Sequence, residues 1–195
     1  MAPRAVLIGA PGAGKSTIGR RLAAALDVDF CDTDAEIEVR AGKAIPEIFA
    51  ADGEPAFREL EKAVVLEALS TQTGIVSLGG GAILSAETRK ALAGHTVVYL
   101  DISVGEGLLR TGITARVSEG HAPHPKDGSR PLLEGPDPAG RYRTLFNTRR
   151  PLYREVSTIV VRSDRRSPSK VVRELTDLFA DDGVQDRTGR GDLRG

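Results

Sequence analysis

Residues Gly9-Ala10-Pro11-Gly12-Ala13-Gly14-Lys15-Ser16-Thr17 fit the pattern G-x-x-x-x-G-K-[ST], which cradles nucleotide phosphates. Glycines let successive backbone N–H groups turn inward around an anion, and a helix N-terminus adds roughly half a positive charge. Gly12, Ala13, Gly14, Lys15, Ser16 and Thr17 form the expected cradle. Lys15 is long enough to reach the β- and γ-phosphates, and the Ser16 hydroxyl is a ligand for Mg²⁺. A glycine-rich turn that binds nothing would share the letters but not the setting. Here the apolar run Ala5-Val6-Leu7-Ile8 precedes the loop, and Ile18, Leu22, Ala25 and Leu26 follow it at helical spacing. Strand, loop and helix together make a phosphate site the expectation.

Asp32 and Asp34 stand at or just inside a helix start, where either alone reads equally as a cap. Beside a phosphate loop they suggest divided roles. Asp32 would hold Mg²⁺ through water, since that ion sheds its hydration shell reluctantly. Asp34 would orient or deprotonate an acceptor hydroxyl. A helix N-terminus favours the ionised carboxylate, which suits Asp34 to orienting more than to abstraction. Arg58 and Glu61 share a helix face, and their spacing alone reads as a surface ion pair. Arg149 and Arg150 read as complements to the C-terminal dipole of their helix. Arg130, beside Pro131-Leu132-Leu133 in a stretch without periodicity, is expected to act from a lid on the charge of a migrating phosphoryl group. Arg166 is either a surface charge or a cation stacked on an adenine face.

These groups need a scaffold that gathers loops at one edge. A strand over 28–31 ends at Asp32, and the T-x-x-E pattern of Thr33 and Glu36 predicts a capping box and a helix from Thr33. Helices are expected over 45–51 and 55–69, parted at Asp52-Gly53, with Pro46 in a first turn. Strands over 74–78, 96–102 and 157–161 alternate with helices over 85–92 and 103–110. A helix from Asp137-Pro138 runs to about Arg150 and is interrupted at Pro151, and the last helix covers 167–179. The alternation gives an α/β fold, a five-stranded parallel sheet flanked by helices in three layers. The Gly9 loop, Asp32 with Asp34, and Gly79-Gly80-Gly81 then share the edge where ligands bind. Residues 1–180 form one domain, with 33–62 as substrate-binding region and 111–137 as an extended, mobile lid. Residues 181–195, charged and glycine-rich, read as a disordered tail.

With 27 basic and 27 acidic residues the chain carries no net charge, which argues against a general nucleic-acid binder. Its single cysteine, Cys31, fits a reducing cytosol and reads as a small apolar strand residue whose thiolate the neighbouring aspartates oppose. No apolar run approaches the ~20 residues that span a bilayer, and the first strand begins too early for a signal peptide. The expectation is a cytoplasmic monomer with neither membrane nor nucleic acid as partner. His121 and His124 lack a third ligand and read as solvated, and Arg190-Gly191-Asp192 reads as a chance tripeptide.

Taken in order, several stretches resemble the shikimate kinases, most closely the actinobacterial ones. They are the phosphate loop, Asp32-Thr33-Asp34, Gly53-Glu54 through Phe57-Arg58 and Glu61, and Ser77-Leu78-Gly79-Gly80-Gly81-Ala82, followed by Arg130-Pro131-Leu132-Leu133 and Arg149-Arg150-Pro151-Leu152-Tyr153. The first is shared with many NTPases; the others, in this order, are specific, and the resemblance covers about residues 4–179. It implies a P-loop kinase fold and transfer of the γ-phosphoryl of ATP, with Mg²⁺, to the 3-hydroxyl of shikimate, giving shikimate 3-phosphate and ADP. It further implies that Arg58 and Arg149 clamp the shikimate carboxylate and that Glu61 steadies Arg58. Asp34 and the backbone of Gly79, Gly80 and Gly81 would bind ring hydroxyls, beside an apolar wall of Phe49 and Phe57. Lys15 and Arg130 would stabilise the migrating phosphoryl, Asp32 and Ser77 would meet Mg²⁺ through water, and Arg110 and Arg166 would frame the adenine.

Two departures from the family stand out. Residues 113–129, between Gly112 and Arg130, make a longer lid than usual, expected to slow closure or weaken ATP binding modestly, because closure cost grows only with the logarithm of length. Trimming it should alter the KM for ATP. Pro46, often a small residue in the family, is expected to be benign. The alternatives are a gluconate or nucleoside-monophosphate kinase of the same fold and a non-catalytic nucleotide-binding regulator. Asp32-Thr33-Asp34 with Gly79-Gly80-Gly81 speaks against the kinases, and an acceptor-side aspartate with paired arginines speaks against the regulator.

Overall fold

The computed structural model describes residues 2–113, 131–133 and 136–188, and within them five parallel strands make one sheet. These are β1 (Ala5–Ile8), β2 (Phe30–Asp32), β3 (Ile75–Ser77), β4 (Val97–Asp101) and β5 (Ile159–Arg162), in the order β2-β3-β1-β4-β5. β1, β3 and β4 are buried throughout, which is why their sequences run apolar rather than alternating. In register, Ser77 pairs with Leu7 on one side and Asp32 on the other. The segments that follow β1, β2 and β3 therefore leave the sheet side by side.

The helices of the described residues are α1 (Lys15–Leu26), α2 (Thr33–Ala41), α3 (Ile45–Thr71), α4 (Ala86–Leu92), α5 (Val104–Arg110), α6 (Pro138–Val156) and α7 (Pro168–Thr188). α1 buries Ile18, Gly19, Leu22 and Ala23, whereas Ala25 of the expected stripe is exposed. α1 packs with α7, and α5 packs with α6. A second small core of Ile37, Ile48, Phe57 and Val64 joins α2 to α3. α3 breaks where expected, at Gly53, whose φ of 79° and ψ of 168° lie outside the helical region.

Three local expectations are corrected. The cap of α2 is Asp32, whose side chain accepts from the Asp34 N–H, and not Thr33. Thr33 is instead fully buried, donating to the Ser77 carbonyl and accepting from the Gly79 N–H, so it ties β2 to the turn after β3. α6 runs through Pro151 to Val156. Proline removes one helical N–H bond and crowds the preceding turn, but Arg149 and Tyr153, on either side of it, are both buried and hold the helix in place. Arg149 and Arg150 therefore sit mid-helix rather than at its end. α7 continues past 179 to Thr188, into the stretch read as a tail; one internal glycine costs a helix only about 1 kcal/mol. Residues 189–195, with Arg190-Gly191-Asp192, lie outside the described residues.

Candidate active site

A cleft of about 830 Å³ opens where these segments leave the sheet. One wall is the loop after β1. Gly12 and Gly14 take φ of 85° and 93°, and α1 starts at Lys15. The Lys15 Nζ donates to the Gly9 carbonyl at 2.9 Å and to that of Ala10 at 3.4 Å, so the ammonium lies back across the loop. Ser16 and Thr17 line the same wall. Ala13 does not: its side chain is buried in the core and its N–H donates to the Ala10 carbonyl at 3.1 Å.

The opposite wall carries Asp34, Arg58, Glu61 and Arg149, which all line the cleft that Lys15 lines. The Asp34 carboxyl lies against the Gly79 backbone. A side chain at 79 would collide with Asp34 Oδ1 and would stand 2.9 Å from Glu61 Oε1, so it would push both carboxyls out of place. Burial raises the Asp34 carboxyl from its ordinary 3.8 to about 6; Lys15 opposes the rise, and Asp32, Glu61 and Glu38 add to it. The dipole of the helix N-terminus favours the ionised form, as the sequence suggests, but burial outweighs it.

Arg58 and Glu61 are no surface pair. Glu61 is 3 % exposed and takes Arg58 Nη1 at 2.6 Å, while Arg58 Nη2 reaches Glu54 at 2.9 Å. Burial pushes the Glu61 carboxyl up against the pull of Arg58. Arg149 is 4 % exposed and donates through Nη1 to the Gly80 carbonyl at 3.1 Å, yet its buried Nε has no partner among the described residues. Burial lowers its hold on the proton. Such a desolvated cation is stabilised by an anion that enters the cleft. Phe49 and Phe57 form the apolar side, ring centres 4.5 Å apart, with Arg58 over the Phe57 face at 5.2 Å.

Ser16 and Ser77 are among the residues that line the cleft, and Asp32 caps α2 beside Ser77 in the sheet. Among the described residues no three His, Cys, Asp or Glu side chains gather into a metal cage. A hydroxyl, water-mediated oxygens and phosphates suit Mg²⁺, which keeps most of its waters. The residues present fit that ion.

Arg110 and Arg166 also border the cleft. Arg110 donates to the Ser163 carbonyl at 2.8 Å, and Arg166 pairs with Glu174 at 2.6 Å, so both guanidinium groups are held from behind. Pro131, Leu132 and Leu133 also line the cleft. Arg130 and residues 114–129 of the insertion before it, His121 and His124 among them, lie outside the described residues. Cys31 is buried and its thiol is pushed up to about 11, by burial first and then by Glu36 and Asp32, which leaves it inert.

Sequence alone gives no hint of the roles of Thr33, Tyr142 and Tyr153. The Tyr142 hydroxyl donates to the Pro11 carbonyl at 2.8 Å and that of Tyr153 to the Gly80 carbonyl at 2.6 Å. Tyr142, Phe146, Arg149 and Tyr153 recur at helical spacing, a signal hidden by ending the helix at Pro151.

A sequence model of the shikimate kinase family matches residues 11–180. A shikimate kinase of Rhodococcus erythropolis is 57 % identical over 181 residues, 93 % of this chain and 99 % of its relative. A shikimate kinase of Mycobacterium avium is 57 % identical over 90 % of this chain and 92 % of its own length. Among solved structures, shikimate kinase from Acinetobacter baumannii in complex with shikimate superposes with a TM-score of 0.81 at 34 % identity, covering 93 % of this chain and 94 % of that one. By sequence and by fold, this chain belongs to the shikimate kinase family.

Proposed function

We propose that the chain transfers the γ-phosphoryl of ATP to the 3-hydroxyl of shikimate, giving shikimate 3-phosphate and ADP. The observation that carries the reading is the meeting of Arg58, Arg149 and Asp34 in one cleft with Lys15. Two guanidinium forks suit a carboxylate, and Asp34 suits a hydroxyl beside it. With its carboxyl at about 6, Asp34 is ionised at neutral pH and still a strong enough base to take the hydroxyl proton as the bond to phosphorus forms. Lys15, with Arg130 of the lid, offsets charge on the migrating group, and the backbone of Gly79, Gly80 and Gly81 holds the ring. Phosphoryl transfer needs little more than such positioning and charge stabilisation.

Ser16 would hold Mg²⁺ directly, with Asp32 and Ser77 reaching it through water, and the ion would supply neutralisation of phosphate charge. Arg110 and Arg166 frame the adenine. Residues 33–62 are the acceptor region. The balanced charge supports the reading that nucleic acid is no partner, and among the described residues no helix is long and apolar enough to cross a membrane.

A coupled assay of ADP release tests the reading with shikimate, gluconate and nucleoside monophosphates offered separately. Shikimate is expected to drive turnover alone. Rapid turnover with gluconate and none with shikimate overturns it, since paired arginines serve any carboxylate.

A further inference from the structure

α6 carries a buried stripe whose two tyrosines no role above uses. Tyr142, Phe146, Arg149 and Tyr153 are its buried residues and fall on one face. At one end of the stripe the Tyr142 hydroxyl holds the Pro11 carbonyl, inside the phosphate loop. Tyr142 is 1 % exposed, and it fits only because the facing residue of α5 is Gly107, where any side chain would overlap its hydroxyl. At the other end the Tyr153 hydroxyl holds the Gly80 carbonyl, which also receives Arg149 Nη1. Tyr153 is likewise 1 % exposed and stacks on Tyr99 at 5.2 Å, and Tyr99 in turn donates to Asp101, which takes Arg150 and Arg154. The two carbonyls belong to loops that abut: a Cβ on Gly80 would come within 3.4 Å of the Pro11 ring.

We infer that Tyr142 and Tyr153 are positioning residues, Tyr142 for the phosphate donor and Tyr153 for the carboxylate-bearing acceptor, pegging both loops to one helix. Neither touches a substrate. Each fixes a backbone carbonyl and so aims the groups of its loop: the N–H donors around the phosphates in one case, Arg149 and the glycine turn in the other. Because both pegs stand on the same rigid helix, the separation of donor and acceptor is set by α6. Tyr→Phe keeps each ring and its packing while deleting one hydroxyl, so the loop loses aim without a cavity opening.

The inference rests on the reading of the cleft as a kinase site, and its test separates the two. Binding of MgADP and of shikimate is measured by titration calorimetry for the full chain and for Y142F and Y153F, with thermal unfolding recorded in parallel. Y142F is expected to weaken MgADP about 3- to 10-fold and to leave shikimate within twofold, and Y153F is expected to do the reverse, as the loss of one buried hydrogen bond implies. Lowered unfolding temperature with both affinities unchanged, or both affinities shifted alike in either variant, overturns the inference. Failure of the unaltered chain to bind shikimate overturns the proposed function instead, and the Tyr142 arm with MgADP still decides the inference. If Y153F does not fold, that same arm decides alone.

Discussion

Asp34→Asn should make the protein more stable while removing most of its activity. Burial holds the Asp34 carboxyl at about 6 against an ordinary 3.8. The folded state therefore binds this proton more tightly than the unfolded one, so folding stability falls as pH rises from about 4 to 6 and stays lowered above that range. Two decades of proton affinity, at about 1.4 kcal/mol each, set an upper value of about 3 kcal/mol. Partial access of solvent to the cleft reduces this to about 2 kcal/mol. Asparagine carries no charge to desolvate, so the variant should gain that amount at pH 8, or about 4–8 °C in Tm for a chain of this size. At pH 4.5 about a third of the gain should remain, because the wild-type carboxyl is then protonated in the folded state. Urea unfolding at the two pH values, beside ADP-release kinetics, checks both halves. Turnover should fall at least ~100-fold with ATP affinity retained. A variant no more stable than wild type at pH 8, or an equal gain at both pH values, refutes the reasoning about burial; retained turnover refutes the acceptor role.

Further outcomes follow from the same geometry. In the wild type, kcat/KM should drop about tenfold per pH unit below pH 6 as Asp34 takes up its proton, with no such limb in Asp34→Asn; a pH–rate profile reads this. Gly79→Ala should cost at least ~10-fold in kcat/KM for shikimate, because the new methyl meets the carboxyls of Asp34 and Glu61, while MgADP binding stays near wild type. Arg149→Lys should raise the KM for shikimate about tenfold or more, since a point charge replaces a fork at a buried site, and the KM for ATP should move much less. Glu61→Gln should raise the KM for shikimate about threefold or more and leave the KM for ATP near wild type, as Arg58 loses the buried carboxylate that holds its fork and keeps only the exposed Glu54; steady-state kinetics reads this.

The features legible in the amino-acid sequence are the local ones. β1, the glycine loop and α1 follow from an apolar run, small residues and a helical stripe that lie within a few residues of one another, and the break at Gly53 is equally local. The parallel sheet follows from alternation, and residues 33–62 and the turn at Gly79 stand out through their resemblance to a family. What escapes depends on neighbours remote in the chain. Thr33 has the pattern of a cap because its true partner lies in β3, 44 residues away. Glu61 has the spacing of an exposed residue because position on a helix says nothing of what covers that face. The direction of the Asp34 shift depends on the cleft closing around it. Pro151 carries a strong local signal for a break, and tertiary contacts of Arg149 and Tyr153 override it.

The placing of β3 next to β1, with β2 beyond it and β4 and β5 on the other flank, has an evolutionary corollary. Most of the groups proposed for the acceptor, Asp34, Arg58, Glu61 and the glycine turn, hang from the β2–β3 flank, with Arg149 of α6 the exception, and the arginines proposed for the base of the nucleotide hang from α5 and the end of β5. Sequence drift on one flank can retune the molecule that receives the phosphate without disturbing the half that grips the fuel. A chimera in which only residues 33–84 are exchanged with those of a relative should thus inherit the relative's taste in acceptors and keep its own affinity for ATP.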